Sequence, residues 1–208
     1  MNLIEILLNW PKAYISGTDL CSILDKSSDS RHAIIKRTIR DGYLIPIRRD
    51  LFLIKNSKRF SLNSFEIAPI IYGPSYVSFE SALSYQGWIP EAVRTTTCAT
   101  IKRTKEFETP IGVFSYEHIP IEMFPFAVEQ HQQNGLTLFI AAPVKALADM
   151  VYARGRSWET VNDLSEDLRI ELDTFRDSDK ELLEELSRTY SSSRVKKVLN
   201  NLSKGFSL

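Results

Sequence analysis

The segment from Ser28 to Ile54 constrains the fold more than any other, because it combines a short amphipathic helix with a tight hairpin. At 100° per residue, four residues fall on one face of the helix: Ile34, Ile35, Thr38 and Ile39. The opposite face collects small and polar residues: Asp29, His32, Ala33, Lys36, Arg37 and Arg40. Ser28 or Asp29 can cap the start of the helix, and Gly42 can take the left-handed conformation that ends it.

A hairpin is predicted directly after this helix, with strands at 43–48 and 51–54. Its turn is Arg49-Asp50, where aspartate tolerates a positive φ. A basic helix followed at once by a hairpin is typical of a winged helix-turn-helix, whose helix enters the major groove. Six residues are therefore predicted to contact DNA: His32, Lys36, Arg37, Arg40, Arg48 and Arg49. The alternative is a salt-bridged, solvated surface.

Two more helices are predicted before this segment. The first ends before Pro11, and the second begins at a capping box that Ser16 forms with Asp19. Because each of these helices is too short to be stable alone, their apolar faces must share one core. The order helix, helix, helix, hairpin predicts a winged helix-turn-helix DNA-binding domain over residues 1–58.

The remaining residues, 59–208, predict a mixed α/β domain with a small antiparallel sheet and a helical C-terminal tail, so the fold class is α+β. Residues 55–63 are polar and basic and indicate a linker. Helices are predicted at 64–72, at 77–86 and from residue 143, and strands at 93–102, 111–119, 126–131 and 136–140. Asn134-Gly135 is a hairpin signal. Five residues are expected to be buried where two helices meet the sheet: Ala82, Leu83, Ala146, Leu147 and Met150.

Charge is divided unevenly between the two parts of the chain. Residues 1–60 hold eleven basic and six acidic side chains, a net charge of +5, whereas residues 61–208 hold fifteen and twenty, a net charge of −5. A basic N-terminal third on an acidic body indicates a nucleic-acid-binding module. No apolar run approaches the roughly 18 residues that span a bilayer, so no membrane partner is predicted.

The two cysteines, Cys21 and Cys98, are far apart and outside any C-x-x-C motif. They predict buried free thiols in a reducing cytoplasm, with a disulfide between them as the alternative. Sequence motifs of enzymes are missing: there is no G-x-x-x-x-G-K-[ST], no G-x-G-x-x-G and no H-E-x-x-H. No carboxylate stands two residues before a lysine, as the E-x-K half of a nuclease metal site would require. The sequence thus predicts a non-enzyme without cofactor or metal, and a nuclease assembled from distant residues is the alternative.

Four segments carry a family resemblance: SYVSFESALSYQGWIP at 75–90, VRTTTCATIKR at 93–103, TPIGVFSYEHI at 109–119 and LFIAAPVKALADMVYARG at 138–155. They resemble the AbiEi-type antitoxins of bacterial abortive-infection and type IV toxin–antitoxin systems, and the step GYLIPIRR at 42–49 extends the resemblance to the predicted winged helix. Two positions depart from the family pattern. Val144 stands where the family usually has Glu, and Asp50 stands where a Gly is common.

The resemblance implies an antitoxin with two parts. Its N-terminal domain is expected to bind inverted repeats of double-stranded DNA in its own promoter and to repress the operon. Its C-terminal domain is expected to counter a cognate nucleotidyltransferase-type toxin without a tight toxin–antitoxin complex. We expect a monomer or weak dimer in the cytoplasm. The competing hypothesis is a winged-helix regulator whose C-terminal domain binds a ligand or a protein.

Five residues are candidates for the antitoxin function: Lys102, Arg103, Lys105, Lys145 and Asp149. The first three form a basic cluster after a predicted strand, and the last two are four apart on one helix face. The alternatives are a solvated strand end and a plain i,i+4 surface pair worth a few tenths of a kcal/mol.

Overall fold

The computed structural model describes residues 3–55, 63–133 and 136–205. The described residues form two compact units. The first comprises those up to Ile67 together with Glu108–Gly112, and the second comprises Ala68–Phe107 and those from Val113 onward. The predicted domain boundary at 58/59, most of the predicted linker and the predicted hairpin tip at 134–135 lie outside the described residues.

A three-stranded antiparallel sheet and three helices make up most of the first unit. In chain order its elements are α1 (Leu3–Leu8), β1 (Tyr14–Ser16), α2 (Gly17–Ile23), α3 (Ser28–Arg40), β2 (Leu44–Arg48) and β3 (Leu51–Ile54). The strand order is β1-β3-β2. The sequence does not predict β1, because three residues are too few to show an alternating pattern and only the pairing with β3 makes them a strand.

Local signals set most of the boundaries in the first unit. The predicted capping box is confirmed: Ser16 Oγ accepts from Asp19 N at 3.0 Å, and Asp19 Oδ2 accepts from Ser16 N at 3.0 Å. Hydrogen bonds that Ser16 Oγ, at 2.6 Å, and Ser16 N donate to the Asp19 carboxylate lower the pKa of Asp19. Gly42 and Asp50 adopt the expected positive φ, 79° and 58°. The N-cap of α3 is Ser27, one residue before the predicted candidates, and its side chain makes no cap hydrogen bond.

The apolar face of α3 packs against the core of the first unit, as predicted. Ile34, Ile35 and Ile39 pack against a cluster of buried side chains that includes Leu20 and Ile54. The exposed face is the basic one. The sequence pattern therefore orients this helix correctly.

Helices and a six-stranded mixed sheet form the second unit. Glu108–Gly112, which end one strand of this sheet and begin the next, are assigned to the first unit. The elements of the second unit, with the helix α4 that spans the division, are α4 (Ser64–Ile71), β4 (Ser75–Val77), α5 (Phe79–Tyr85), β5 (Thr95–Thr100), β6 (Lys105–Thr109), β7 (Gly112–His118), β8 (Val128–Gln133), β9 (Leu136–Ala141), α6 (Pro143–Arg154), α7 (Val161–Leu168), α8 (Asp177–Thr189) and α9 (Ser193–Gly205), with short 3₁₀ helices at Ile121–Met123 and Leu172–Thr174. The strand order is β6-β7-β5-β4-β9-β8.

The predicted α+β class is confirmed, but this sheet is larger than predicted and mixed. β4 pairs with β9 and β5 with β7 in parallel, whereas β4 with β5 and β8 with β9 are antiparallel. The sequence misses β4 and β6. Ser75–Val77 is too short to show a strand period, and it precedes a helix that the apolar pattern extends backward to 77.

Helix α6 is the centre of the second unit. It contacts α5, α8, α9 and β9, and eight consecutive residues from Val144 to Val151 are buried. The five residues expected at this junction, from Ala82 to Met150, are each at most 1% exposed, which confirms that prediction. The sequence predicts an apolar face for α6. It does not predict that the helix is covered on all sides, because the polar residues on its other face suggest exposure to solvent.

Both cysteines are free, but only one is buried. Cys98 lies on β5 and is fully buried, which raises the pKa of its thiol. Cys21 lies on the exposed side of α2, so the prediction of a buried thiol is wrong there. No helix within the described residues has the length and apolar character needed to cross a membrane.

Truncating Leu147 tests the placement of α6. Leu147→Ala should lower the free energy of unfolding by about 2–5 kcal/mol, because it leaves a cavity in a fully packed site. Ile121→Ala, at a side chain 68% exposed, is the matched control and should change it by less than about 0.5 kcal/mol. Urea denaturation followed by circular dichroism measures both, and equal effects would contradict the placement.

Candidate functional site

The exposed face of α3 carries the first candidate site. His32, Lys36, Arg37 and Arg40 are all exposed there, as the sequence predicts. Among the described residues, the side chains of Lys36 and Arg37 have no hydrogen-bond or ion-pair partner. The ring of His32 is tied to its own helix, with Nδ1 2.9 Å from the Ser28 carbonyl oxygen. Two cations on this face are thus available to an external anion.

Two other arginines of the predicted DNA surface, Arg40 and Arg49, have an exposed carboxylate as their ion-pair partner. Arg40 Nε lies 3.4 Å from Asp41 Oδ1, and Arg49 Nε lies 3.6 Å from Asp50 Oδ2, with the two arginine side chains 75% and 95% exposed. Arg48 Nη1 donates to the Arg49 carbonyl at 3.4 Å. Exposed ion pairs of this kind contribute about 0–1 kcal/mol, so an incoming phosphate can displace the carboxylates. For Arg40 and Arg49 the salt-bridged alternative is therefore present in a weak form.

The second candidate site is a buried ion pair on α6. Lys145 and Asp149 lie one turn apart, as predicted, and Lys145 Nζ donates to Asp149 Oδ1. Both side chains have 0% exposure, so the alternative of a plain surface pair is wrong. The reason is that α6 is covered by α5, α8 and α9, which the sequence of the helix does not show. Neither residue can contact a second molecule in this structure.

Hydroxyl groups complete the coordination of Asp149. Oδ2 accepts from Tyr76 Oη at 2.9 Å and from Ser78 Oγ at 2.8 Å. Oδ1 accepts from Tyr190 Oη at 3.0 Å as well as from the lysine. Four donors from three stretches of the chain, at 76–78, 145 and 190, satisfy this buried carboxylate, as a buried charge requires.

The lysine of this pair is also enclosed. Its Nζ lies 3.3 Å from Tyr190 Oη and 5.6 and 5.7 Å from the ring centroids of Tyr76 and Tyr190. Burial lowers the pKa of Lys145, and the neighbouring Asp149 opposes that shift. Burial and the nearby carboxylate raise the pKa of both tyrosines, which keeps their hydroxyls protonated as donors. The arrangement is that of a structural anchor whose donors and acceptors are satisfied internally.

A strained turn adjoins this anchor. Phe79, the first residue of α5, has a φ of 56° and is fully buried, a conformation that a bulky residue rarely adopts. Such a residue costs about 1–3 kcal/mol and persists only where its surroundings fix it. Here the flanking Ser78 donates to Asp149, and its carbonyl accepts from Thr97 Oγ1 at 2.8 Å.

A cluster of ion pairs around Arg154 has no sequence signal. Its Nε donates to both carboxylate oxygens of Glu117 at 2.8 and 3.0 Å, and its Nη1 pairs with Glu80. The guanidinium lies 4.8 Å from the ring centroid of Phe79. Glu80, Glu117 and Arg154 come from α5, β7 and α6, so only the tertiary structure brings them together. The cluster borders a cleft of about 460 Å³.

The three side chains of the predicted basic cluster after β5 are exposed, and one of them, Lys102, is hydrogen-bonded. Lys102 Nζ donates to the Gly73 carbonyl and lies 5.2 Å from the ring centroid of Tyr72. Lys105 Nζ lies 4.8 Å from the ring centroid of Phe107. The side chain of Arg103 has no partner among the described residues, while its carbonyl accepts from Tyr72 Oη at 3.2 Å. Arg103 and Lys105 are therefore the two members whose charges face solvent without a hydrogen bond.

Removing the positive charge of Lys145 tests the anchor. Lys145→Met should lower the free energy of unfolding by about 3–5 kcal/mol, because Asp149 then remains buried without its cation. The double variant K145M/D149L should recover a large part of that loss. Lys197→Met, at an exposed position of α9, is the matched control. Urea denaturation measures all three, and a loss below about 1 kcal/mol for the single variant would contradict the role of the pair.

No family model and no curated protein match the sequence. Among solved structures, the fold is similar to that of the RV2827C protein from Mycobacterium tuberculosis, with a TM-score of 0.54. The sequences are 12% identical, and the match covers 96% of this chain and 80% of that chain. At this identity the similarity concerns the fold alone.

Proposed function

We propose that the protein is a DNA-binding transcriptional repressor that acts as the antitoxin of a type IV toxin–antitoxin system. The observation that carries the DNA-binding half is the exposed face of α3, where Lys36 and Arg37 have no partner among the described residues. In this proposal the cytoplasmic protein binds inverted repeats in its own promoter and counters a nucleotidyltransferase-type toxin.

The element order of the first unit supports a winged helix-turn-helix. Three short helices precede the hairpin of β2 and β3, and β1 adds a third strand to it. In such a domain α3 is the recognition helix, and Arg48 and Arg49 at the hairpin turn lie beside it on the DNA backbone or in the minor groove. Ala33 on the exposed face of α3 allows a close approach to the groove.

Electrostatics favours nucleic acid as the partner of this face. Lys36 and Arg37 lose no internal ion pair on binding, and each phosphate that they neutralise releases counterions. Arg40 and Arg49 exchange an exposed carboxylate for a phosphate, which costs little. His32, whose Nδ1 lies 2.9 Å from the Ser28 carbonyl oxygen, lies on the same face as these cations.

The antitoxin half of the proposal rests on the resemblance between residues 75 and 155. Within this segment Lys145 and Asp149 hold β4, α6 and the residue after α8 together through the buried anchor. A contact with another molecule must therefore come from exposed residues, of which Arg103 and Lys105 are the strongest candidates. In this proposal the buried Lys145–Asp149 pair stabilises the fold, and the exposed cluster of Arg103 and Lys105 carries the antitoxin function.

The second candidate function is a winged-helix regulator whose C-terminal part binds a ligand. The observation that favours it is an apolar pocket of about 460 Å³ in the second unit, lined mostly by proline and aromatic side chains, among them Pro74, Tyr76 and Phe124. The neighbouring gene separates the two functions, because a nucleotidyltransferase-like product supports the antitoxin.

Removing the two unpaired cations of α3 tests DNA binding. Lys36→Gln with Arg37→Gln should weaken binding to the promoter at least tenfold near 100 mM salt and reduce the salt slope of log K by about 2, since each phosphate contact contributes about 0.9. Fluorescence anisotropy with a labelled promoter fragment at several salt concentrations measures both quantities. Arg188→Gln with Lys197→Gln, exposed on α8 and α9, is the charge-matched control. Unchanged binding by the α3 variant would exclude this face.

A separation of functions tests the antitoxin half in the full-length protein. The α3 double variant should still rescue growth when the neighbouring toxin is co-expressed, although it no longer represses the promoter. Arg103→Gln with Lys105→Gln should do the reverse, with promoter binding within twofold of the parent and rescue lost. If the α3 variant also fails to rescue growth, protection works through repression, and the proposed separation of DNA binding from the antitoxin function is wrong.

A further inference from the structure

The outer edge of β8 has backbone groups that point away from the sheet. β8 is the last strand of the six-stranded sheet, and among the described residues it pairs with β9 alone. Ala142 N donates to the Ala127 carbonyl, so the Val128 N–H at the other side of that peptide plane points away from β9. Because these directions alternate along an antiparallel ladder, the N–H and C=O groups of Val128, Gln130 and Gln132 all face outward.

β8 lacks the features that prevent other sheet edges from pairing. Proteins protect such edges with proline, with lysine or with very short strands. Three of the four edge strands in the described residues have one of these features, since β2 contains Pro46, β6 contains Lys105, and β1 has only three residues. β8 has six residues, and none of them is proline, lysine or arginine. It is therefore the edge best suited to accept a further strand.

The side chains of β8 are complementary to those of a second β8. Glu129 and His131 lie on one face of the strand, with His131 Nε2 3.1 Å from Glu129 Oε2. When two copies pair antiparallel about a two-fold axis at Gln130, Glu129 of each copy lies opposite His131 of the other, in a close pair without backbone hydrogen bonds. An axis at either neighbouring residue sets two glutamates or two histidines opposite each other. The side chains therefore favour the axis at Gln130.

Exposed aromatic side chains accompany this edge on both faces of the sheet. Among the described residues three large hydrophobic side chains are exposed, and two of them lie here. Tyr85, 38% exposed, contacts the ring of His131, with the centroids 5.5 Å apart. Phe139, 49% exposed, is the partner of Gln130 in the β8–β9 register and so lies on the opposite face. Exposed apolar groups that cluster in this way are typical of protein–protein contacts.

We infer that β8 binds β8 of a second copy of this chain, antiparallel and about a two-fold axis at Gln130. The two mixed sheets then form one continuous sheet with six strands from each copy. The contact is isologous and occupies both β8 edges, so the assembly closes as a dimer. A two-fold dimer also matches inverted repeats in DNA, but the inference rests on β8 and not on the proposed function.

Sedimentation velocity of the full-length protein without DNA tests the dimer. We expect a concentration-dependent equilibrium with a Kd on the order of 100 µM or tighter, since the contact is small. His131→Glu should weaken it at least about tenfold, because four carboxylates then lie together. The exchange variant E129H/H131E should restore it to within about threefold, since the same pairs form with their members exchanged. His118→Glu, at an exposed histidine at the end of β7, is the matched control. Circular dichroism establishes that each variant folds.

Disulfide trapping tests the register. In a Cys21→Ser background, Gln130→Cys should give a disulfide-linked dimer on mild oxidation, because residues paired on the axis are about 5.5 Å apart between Cα atoms. Gln132→Cys, at an exposed position of the same strand, is the matched control. It should not cross-link, because its two copies are displaced by four residues, about 13 Å along the strands.

Three outcomes would overturn the inference. The protein could remain monomeric well above the expected Kd, His131→Glu could leave the dimer unchanged, or Gln132→Cys could cross-link in place of Gln130→Cys. Because these experiments contain no DNA, each result leaves the proposed DNA binding of α3 to its own test.

Discussion

The carboxylate of Asp149 is the interaction on which the second unit depends. It accepts hydrogen bonds from Lys145, Tyr76, Ser78 and Tyr190, which lie in or beside α6, β4, α5 and α8. Removing Lys145 would leave the Asp149 carboxylate buried without a counter-charge, and removing a hydroxyl donor would leave it with one hydrogen bond fewer. One of these donors, Ser78, directly precedes Phe79, whose φ is 56°. A single buried charge thus links the sheet to three helices.

Charge is used in opposite ways in the two units. In the first unit Lys36 and Arg37 are exposed and have no partner among the described residues, and Arg40 and Arg49 each lie beside an exposed carboxylate. The second unit contains ion pairs that are buried or partly buried, namely Lys145 with Asp149 and Arg154 with Glu117. Exposed and weakly paired cations are available to a phosphate backbone, whereas internally satisfied ones are not. This contrast is why the proposed DNA contacts lie on α3 and the turn.

Burial also changes the interpretation of Lys145 and Asp149, which are four residues apart on α6. A lysine and an aspartate four residues apart suggest a surface pair or a contact site when only the helix is considered. In the folded chain the pair is inaccessible, and the molecule's own tyrosines and serine satisfy it. The surface that remains for a partner is formed by other residues, among them Arg103 and Lys105.

The sequence by itself determined those features that local chemistry controls: the α+β class, the capping box of Ser16 and Asp19, the positive φ of Gly42 and Asp50, the hairpin of β2 and β3, and the orientation of α3. Apart from the fold class, which follows from the series of helical and strand patterns, each depends on residues within a few positions of one another, so spacing and conformational preference are sufficient. Only the tertiary structure decided that β1 and β4 are strands, that Cys21 is exposed, and that Lys145 and Asp149 are buried. It also decided which side chains reach them, because Tyr76 and Tyr190 lie 73 and 41 residues from Asp149 and no local pattern records such a contact.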